Sequence, residues 1–167
     1  PGSRPDPNSV APPVKEMSSR VSIFTPLDPS ACRLVEENRD EGPYWRRACP
    51  GVGGYSVEWT ESDLRQGLEV IGAKGVKTSL DLSGKAAQGA FNRLGPRIEW
   101  RGPRGRSPDS LIVRIFVADG SDPQAPDRSL LAVGRLNPKP CLTAIVVPGP
   151  NQNEDARRAA DSTAECL

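Results

Sequence analysis

Histidine is absent from the 167-residue chain. Its absence removes the commonest general base of enzymes, a frequent metal ligand, and the only side chain whose ordinary pKa lies near neutrality. Any catalysis would depend on carboxylates, lysine or tyrosine, and a cysteine nucleophile would lack its usual activating base. The composition therefore argues against an enzyme and indicates no cofactor.

Long apolar runs and an excess of either charge are also missing. The longest apolar run, 142–148, is far shorter than the roughly 18 residues that a membrane-spanning helix requires. Lys and Arg number 22 against 21 Asp and Glu, so there is no strong positive field to attract nucleic acid or a membrane surface. We expect neither a transmembrane protein nor a nucleic-acid partner.

Aromatic residues are few, at 5%, whereas the chain has 18 prolines and 16 glycines. This composition is typical of many short strands and turns rather than of a helix bundle. Residues 1–20 hold five of the prolines without hydrophobic periodicity, which predicts a disordered leader or linker. Its start, Pro1-Gly2-Ser3, resembles the remnant of a cleaved expression tag. We expect that a signal peptide has been removed from the sequence, which explains why none is visible. Residues 21–167 are predicted to form a single β-rich domain.

The four cysteines, Cys32, Cys49, Cys141 and Cys166, include no CxxC pair, so the spacing of zinc ribbons and thioredoxins is missing. We interpret them as two disulfides. The pairs 32–49 and 141–166 are favoured because each closes a short loop beside a predicted helix, although crossed pairings stay open. Two disulfides predict an oxidising compartment, either the periplasm or the exterior of the cell.

Alternating apolar residues predict strands in the middle of the chain. Tyr55, Val57 and Trp59 alternate with polar residues, and the same period recurs at 68–70, 80–82 and 98–100. A short first strand is expected at 21–25. Further strands are predicted at 111–118, which is apolar at nearly every position except Arg114, and at 130–136 and 142–147. Turn residues place hairpins near 61–63, 102–109 and 137–140. The fold class is thus mainly β (α+β), an antiparallel barrel or sandwich of about seven or eight strands.

Two helices are predicted to flank the strands. Asp28 and Pro29 resemble an N-cap followed by a first-turn proline, which favours a helix through about Asn38. A second helix should begin at Asn151 or Asn153 and carry an alanine stripe that continues to Cys166. The glycine-interrupted segment 84–95 is expected to be a loop or one helical turn.

The glycine-rich stretch 51–54 raises the question of a phosphate-binding loop. It is followed by a strand pattern, not by a helix with the Lys-Ser/Thr of a P-loop. We therefore interpret these glycines as turn residues.

Several short motifs resemble an uncharacterised family of small exported proteins of alphaproteobacteria. They lie between residues 24 and 166 and include Phe24-Thr25-x-Leu27, Arg47-x-Cys49-Pro50-Gly51, Phe91-Asn92-x-Leu94-Gly95, Ile98-Glu99-Trp100-Arg101 and the tail 156–161 with its final cysteine. The resemblance implies export and both disulfides. It implies no activity, substrate or catalytic residue.

Two arginine-rich stretches are candidate binding surfaces. Aromatic rings next to guanidinium groups suit stacking and anion contact, whereas the alternative is that the rings cover the core and the arginines reach into water. A basic hairpin tip could hold an anionic glycan, although most charged loop tips are only solvated. The residues are Tyr44, Trp45, Arg46 and Arg47 in the first stretch, and Arg101, Arg104 and Arg106 in the second.

Acidic residues offer weaker candidates. Asp119 and Asp122 could bind calcium, but the loop lacks EF-hand spacing and an ordinary turn explains it better. Glu58 and Glu99 could form a glycosidase pair if their strands adjoin, although residues that alternate with buried aromatics usually face solvent.

These observations favour a non-enzymatic binding or accessory domain of the bacterial envelope. Its partner would be an envelope protein or an anionic glycan. Two alternatives are an inhibitor of a secreted hydrolase and a carboxylate-based glycan hydrolase.

Overall fold

The computed structural model describes residues 19–40 and 42–167. The expected leader, with Pro1-Gly2-Ser3, falls almost entirely outside these residues. The described part contains ten strands and two short helices, which are β1 (Arg20–Pro26), β2 (Arg33–Asn38), β3 (Tyr44–Cys49), β4 (Ser56–Ser62), β5 (Arg65–Ile71), β6 (Lys77–Ser79), α1 (Leu82–Lys85), β7 (Asn92–Pro103), β8 (Ser110–Val117), β9 (Arg128–Arg135), β10 (Cys141–Val146) and α2 (Gln152–Asp161).

The strands form two antiparallel halves of one open sheet. One half runs β2-β3-β4-β5 with β6 beside β5, and the other runs β7-β8-β9-β10 with β1 beside β7. The halves meet at a single parallel bridge between Arg65 and Asn92. The expectation of a mainly β, antiparallel fold is therefore confirmed. The sheet does not close, so the barrel is not supported and a sandwich-like arrangement fits better.

One hydrophobic core joins the inward faces of both halves. The alternating residues of the predicted strands supply it, including Val57 and Trp59 from β4 and Ile98 and Trp100 from β7. The indole N–H of Trp100 donates a 2.8 Å hydrogen bond to Thr25, so its polar end is also satisfied. A second, smaller cluster lies between the outer face of the sheet and α2, and comprises Ile112, Leu131, Val133, Ala156 and Ala160.

The three predicted hairpins are present. Strands β4 and β5 pair across 63–64, β7 and β8 pair across 104–109, and β9 and β10 pair across 136–140. The predicted strand at 111–118 is β8, which lies between β7 and β9 as a central strand should. The segment 84–95, expected to be a loop or one helical turn, contains only the last two residues of α1, followed by turns over 86–90. The expectation is wrong for 92–95, because pairing with β8 already begins β7 at Asn92.

The predicted N-terminal helix is wrong. Asp28 does accept hydrogen bonds from the backbone N–H groups of Ser30 and Ala31, each at 2.9 Å, but they close only one turn. The chain then extends from Arg33 as β2 and pairs with β3. The same residue types favour a helix N-cap and an isolated Asx turn. In this protein the pairing of the following residues with β3 determines that they form a strand and not a helix.

Two finer expectations also need correction. The alternation at Leu80 and Leu82 is not a strand, because Asp81 has φ 54° and its side chain caps α1. Helix α2 ends at Asp161, since Ser162 is extended, so Cys166 lies beyond the helix and not on its alanine stripe.

Both favoured disulfides are confirmed, Cys32–Cys49 across 17 residues and Cys141–Cys166 across 25. Two structural disulfides are typical of proteins outside the reducing cytosol. In the part of the chain that the structure describes, neither helix has the length and apolar character needed to cross a membrane.

Candidate functional site

The four residues of the first arginine-rich stretch lie on β3 and alternate between its two faces. Trp45 packs edge-to-face on Trp59, with ring centroids 4.8 Å apart, and its indole N–H donates to Glu61 at 3.1 Å. Arg47 lies over the Trp45 ring at 5.9 Å and donates to the carbonyl oxygen of Cys32 at 3.0 Å. These contacts are the ones expected of packing residues beside the first disulfide.

Arg46 projects from the opposite face of β3 into a cluster of charges. Its Nη1 donates to Glu58 at 3.0 Å and Glu69 at 2.6 Å, and its Nε donates to the hydroxyl of Tyr44 at 3.0 Å. Burial opposes the charge of Arg46, yet these hydrogen bonds raise its pKa. Burial likewise acts to raise the pKa of Glu58, but hydrogen bonds from Lys77 and Arg46 hold it below its ordinary value. The guanidinium group of Arg46 is thus engaged by side chains of the protein itself.

The second arginine-rich stretch is divided by the fold. Arg101 points onto the outer sheet face, where it donates to Asp161 at 3.1 and 2.8 Å and to Ser22 at 2.7 Å. Arg104 and Arg106 are exposed in the turn after β7. Within the described residues, neither side chain makes a hydrogen bond or an ion pair. Only these two remain available at the tip for an external anion.

The weak calcium candidates lie in an exposed loop between β8 and β9. Asp119 accepts hydrogen bonds from the backbone N–H and hydroxyl of Ser121, at 2.9 and 2.7 Å, and Asp122 accepts from the N–H of Gln124 at 3.0 Å. The hydroxyl of Ser121 is the main cause of a lowered pKa at Asp119. Between residues 19 and 40 and from 42 onward, the structure contains no group of three or more acidic or cysteine ligands that could hold a metal ion.

Glu58 and Glu99 lie in different halves of the sheet. Their strands, β4 and β7, are not paired, and the flanking residues of both point into the shared core. The two carboxylates therefore face outward on opposite sides of the sandwich and do not form a glycosidase pair.

A buried ion network fixes the C-terminal end of α2. Arg20 donates to Asp161 at 2.6 Å and to Asp109 at 2.9 and 2.6 Å, while Arg101 binds the other side of Asp161. The side chains of Arg20 and Asp161 are only 2% and 1% exposed. Burial acts to raise the pKa of Asp161, but hydrogen bonds from Arg101 and Arg20 bring it below the ordinary value.

A cavity lies between the N-terminal half of α2 and the outer face of the sheet, and we call it the α2 cavity. Its volume is about 440 Å³, which is within the usual range of ligand-binding pockets. Strands β1, β7, β8 and β9 and helix α2 all contribute to it. Its lining comprises Phe24, Pro96, Arg97, Glu99, Ile112, Arg114, Leu131, Asn153, Ala156 and Arg157.

Arg114 is the arginine of the α2 cavity that hydrogen-bonds to the most residues of the described part of the chain. It is half-buried on the central strand β8, where its Nη1 donates to Ser129 at 2.6 Å and to Gln152 at 3.1 Å. Its Nη2 lies 3.4 Å from the side-chain oxygen of Asn153. All three partners are neutral, and no carboxylate of the described residues forms an ion pair with Arg114. A half-buried guanidinium without a counter-ion favours an anionic ligand.

The other two arginines of the cavity differ in their partners. The guanidinium of Arg97 lies 4.1 Å from the ring centroid of Phe24 and makes no hydrogen bond within the described residues. Arg157 binds Glu99 through Nε at 2.7 Å and Nη2 at 3.4 Å, and this hydrogen bond is the main cause of its raised pKa. Among the described residues, the lining of the α2 cavity therefore includes three guanidinium groups and one carboxylate.

An apolar floor lies beside these charges, formed chiefly by Ile112 and Leu131 with the exposed ring of Phe24 at the margin. A cationic wall next to an apolar floor suits a ligand that carries an anionic group on an apolar body. Sequence reasoning missed this site because its arginines come from three separate elements. The only signal was Arg114, the one charged residue in the apolar strand 111–118.

No protein-family model, curated protein or solved structure matches the chain. The resemblance of its short motifs to small exported proteins stays an expectation.

Proposed function

We propose that the protein is a non-enzymatic binding module of the bacterial envelope, periplasmic or secreted, which takes an anionic ligand into the α2 cavity. The single observation that carries the proposal is Arg114, a half-buried cation whose partners among the described residues are all neutral. It faces a ligand-sized cavity together with Arg97 and Arg157. Guanidinium groups bind carboxylates and phosphates through paired hydrogen bonds, which gives both affinity and orientation.

The compartment rests on the two disulfides, which persist outside the reducing cytosol. Binding is favoured over catalysis because Glu58 and Glu99 are each neutralised by internal cations. Hydrogen bonds from Lys77 and Arg46 hold the pKa of Glu58 below its ordinary value, so its carboxylate is a poor general acid.

Isothermal titration calorimetry with decanoate and decyl phosphate tests the proposal. Two matched probes are included: inorganic phosphate, which lacks the apolar body, and decylammonium, which has the same apolar body with a positive charge. We expect either decyl anion to bind at one site per chain and decylammonium not to bind. Arg97→Gln and Arg114→Gln should each weaken binding about tenfold, the effect of one charge-assisted hydrogen bond.

The control is the double variant Arg104→Gln with Arg106→Gln at the exposed hairpin tip, which should leave the affinity unchanged. If only this control variant loses affinity, the anion binds at the hairpin tip and not in the α2 cavity. Absence of binding by both decyl anions would refute the proposal. The melting temperature of each variant shows whether it is folded.

A further inference from the structure

We infer that the protein pairs with a second copy of itself through the open edge of strand β1 and so forms a two-fold symmetric dimer with a continuous sheet. Such a dimer goes beyond the proposed function and does not require it. Four strands of the described residues have an open edge, namely β1, β2, β6 and β10. Of these, β1 lacks the features that usually prevent two sheet edges from pairing.

The other three edge strands are protected. Strand β2 carries three charged residues and a bulge between Leu34 and Glu36. Strand β6 has only three residues. Strand β10 contains a bulge between Leu142 and Ala144, and the carbonyl oxygen of Leu142 accepts a hydrogen bond from the N–H of Leu167 at 2.8 Å. Bulges, charges and short length all hinder the addition of another strand.

Strand β1 is long and regular by comparison. It pairs with β7 over all seven of its residues without a register shift, and 21–25 hold no charged residue. Its proline is the last residue and does not interrupt the edge. The side chains of Ile23 and Phe24 point to opposite faces of the sheet and are 49% and 40% exposed. A regular edge strand with exposed apolar side chains is a template for another strand.

Two hydrogen bonds at the ends of β1 show which of its backbone groups are free. Arg104 donates to the carbonyl oxygen of Ser19 at 2.6 Å, and Leu27 donates to that of Pro96 at 2.8 Å. The odd-numbered residues of β1 therefore face β7, because hydrogen-bonded pairs alternate along an antiparallel ladder. The backbone N–H and C=O groups of residues 20, 22 and 24 point to the open side, where no described residue forms a hydrogen bond with them.

A second copy of β1 fits this edge in an antiparallel register centred on Ile23. This register overlaps the whole strand and places the free backbone groups of residues 22 and 24 opposite each other, so that they exchange hydrogen bonds. The facing pairs are Ile23 with Ile23, Ser22 with Phe24, Val21 with Thr25 and Arg20 with Pro26.

Charge and shape favour this register over its neighbours. The one charged residue of the strand, Arg20, lies opposite an uncharged residue, so no like charges face each other. A shift by two positions would shorten the overlap and place Arg20 opposite Phe24, whose ring is already covered by Arg97 at 4.1 Å. The centred register also brings the two exposed Ile23 side chains together as an apolar cross-strand pair.

Sedimentation equilibrium of the whole chain between about 1 µM and about 1 mM tests the inference. Because a single pair of strands is a small interface, we expect a dimer with a dissociation constant in the micromolar range. Ile23→Lys places two ammonium groups opposite each other and should weaken the dimer at least about tenfold. Leu34→Lys is the matched control, since Leu34 is 42% exposed on the other edge strand β2, and it should leave the dimer unchanged.

A charge-swap experiment tests the register itself. Ile23→Glu alone should weaken the dimer as strongly as Ile23→Lys does. An equimolar mixture of Ile23→Lys and Ile23→Glu should form a heterodimer about as tight as the wild-type dimer, because opposite charges then face each other across the two-fold axis. This rescue is expected only if residue 23 lies opposite its own counterpart.

Three results would overturn the inference. A wild-type chain that stays monomeric at all concentrations refutes the dimer. A dimer that survives Ile23→Lys, or one that Leu34→Lys disrupts instead, refutes β1 as the interface. A mixture of the two charged variants that stays monomeric refutes the symmetric pairing at Ile23. The melting temperature of each variant shows that it is folded, as expected for substitutions of a half-exposed side chain.

Discussion

Arg101 on β7 holds the carboxylate of Asp161, the last residue of α2, with two hydrogen bonds of 3.1 and 2.8 Å. The pair is buried, and Arg20 binds the same carboxylate at 2.6 Å. Because α2 is short, this contact rather than helix propensity explains why the helix lies where it does on the sheet. The α2 cavity depends on that placement.

Asp161→Asn should destabilise the protein by about 3 kcal/mol, because it leaves two guanidinium groups with a weaker partner in a buried site. Equilibrium unfolding in urea measures the change. Asp155→Asn is the matched control, since Asp155 forms an exposed pair with Arg158 and its loss should change the free energy of unfolding by less than about 0.5 kcal/mol. Equal effects of the two substitutions would show that the network adds nothing.

Stability should be constant from about pH 5 to 8 and should fall in acid. The pKa values of Asp161 and Glu58 are lowered in the folded state. Their contribution is therefore complete above the unfolded values, about 3.9 and 4.3, and is lost as the pH falls through the lower folded values. Melting temperatures between pH 2 and 8 measure this curve. In Asp161→Asn the acid limb should be shallower, and a transition near pH 6.5 would contradict the expectation.

Removal of either disulfide should lower stability. The chain-entropy relation gives about 3 kcal/mol for a loop the size of 32–49 and slightly more for one the size of 141–166. Paired Cys→Ala variants of each bond, compared by urea unfolding, measure the two contributions. The loss of stability in each variant should be present in the absence of reductant. Mass spectrometry of the wild type under non-reducing conditions should detect no free thiol. Four free thiols would contradict both the bonds and the expected compartment.

Gly53→Ala should destabilise the protein more than Gly105→Ala. Both glycines have positive φ, 61° and 75°, so both substitutions incur the left-handed backbone cost of about 1 kcal/mol. A Cβ at Gly53 would also lie 2.6 Å from Pro108, whereas a Cβ at Gly105 meets nothing within 4 Å. Overpacking adds about 1–3 kcal/mol at Gly53 only. Equal losses in urea unfolding would show that the 51–54 turn does not pack on the β7–β8 turn as described.

The strands were the most predictable part of the fold because residues such as Val57 and Trp59 repeat with the period of a half-buried sheet. The helix expected after Asp28 failed because a single Asx turn has the same residues as a helix start, and the distant strand β3 then determined the conformation. Strand β2 could not be predicted from the sequence for a related reason. All six of its residues are exposed, so they lack the alternation that reveals a strand.

The candidate site was largely unpredictable, and the reason is geometric. Arg97, Arg114 and Arg157 meet only after β7, β8 and α2 have packed together, and each alone resembles an ordinary surface arginine. Arg20 and Asp161, separated by 141 positions, illustrate the same limit. Sequence patterns report local burial, whereas a binding site depends on which elements become neighbours.

Helix α2 is restrained unequally at its two ends. Beyond its last turn, Cys166 is covalently joined to Cys141 on the sheet, while its first turn is held through Gln152 and Asn153. Helix α2 covers the α2 cavity. A covalent bond restrains the chain just beyond the C-terminal end of the helix, whereas side-chain hydrogen bonds hold its first turn. The contacts of the first turn with the sheet are side-chain hydrogen bonds, so substitution of Gln152 or Asn153 removes them without breaking any backbone ladder of the sheet.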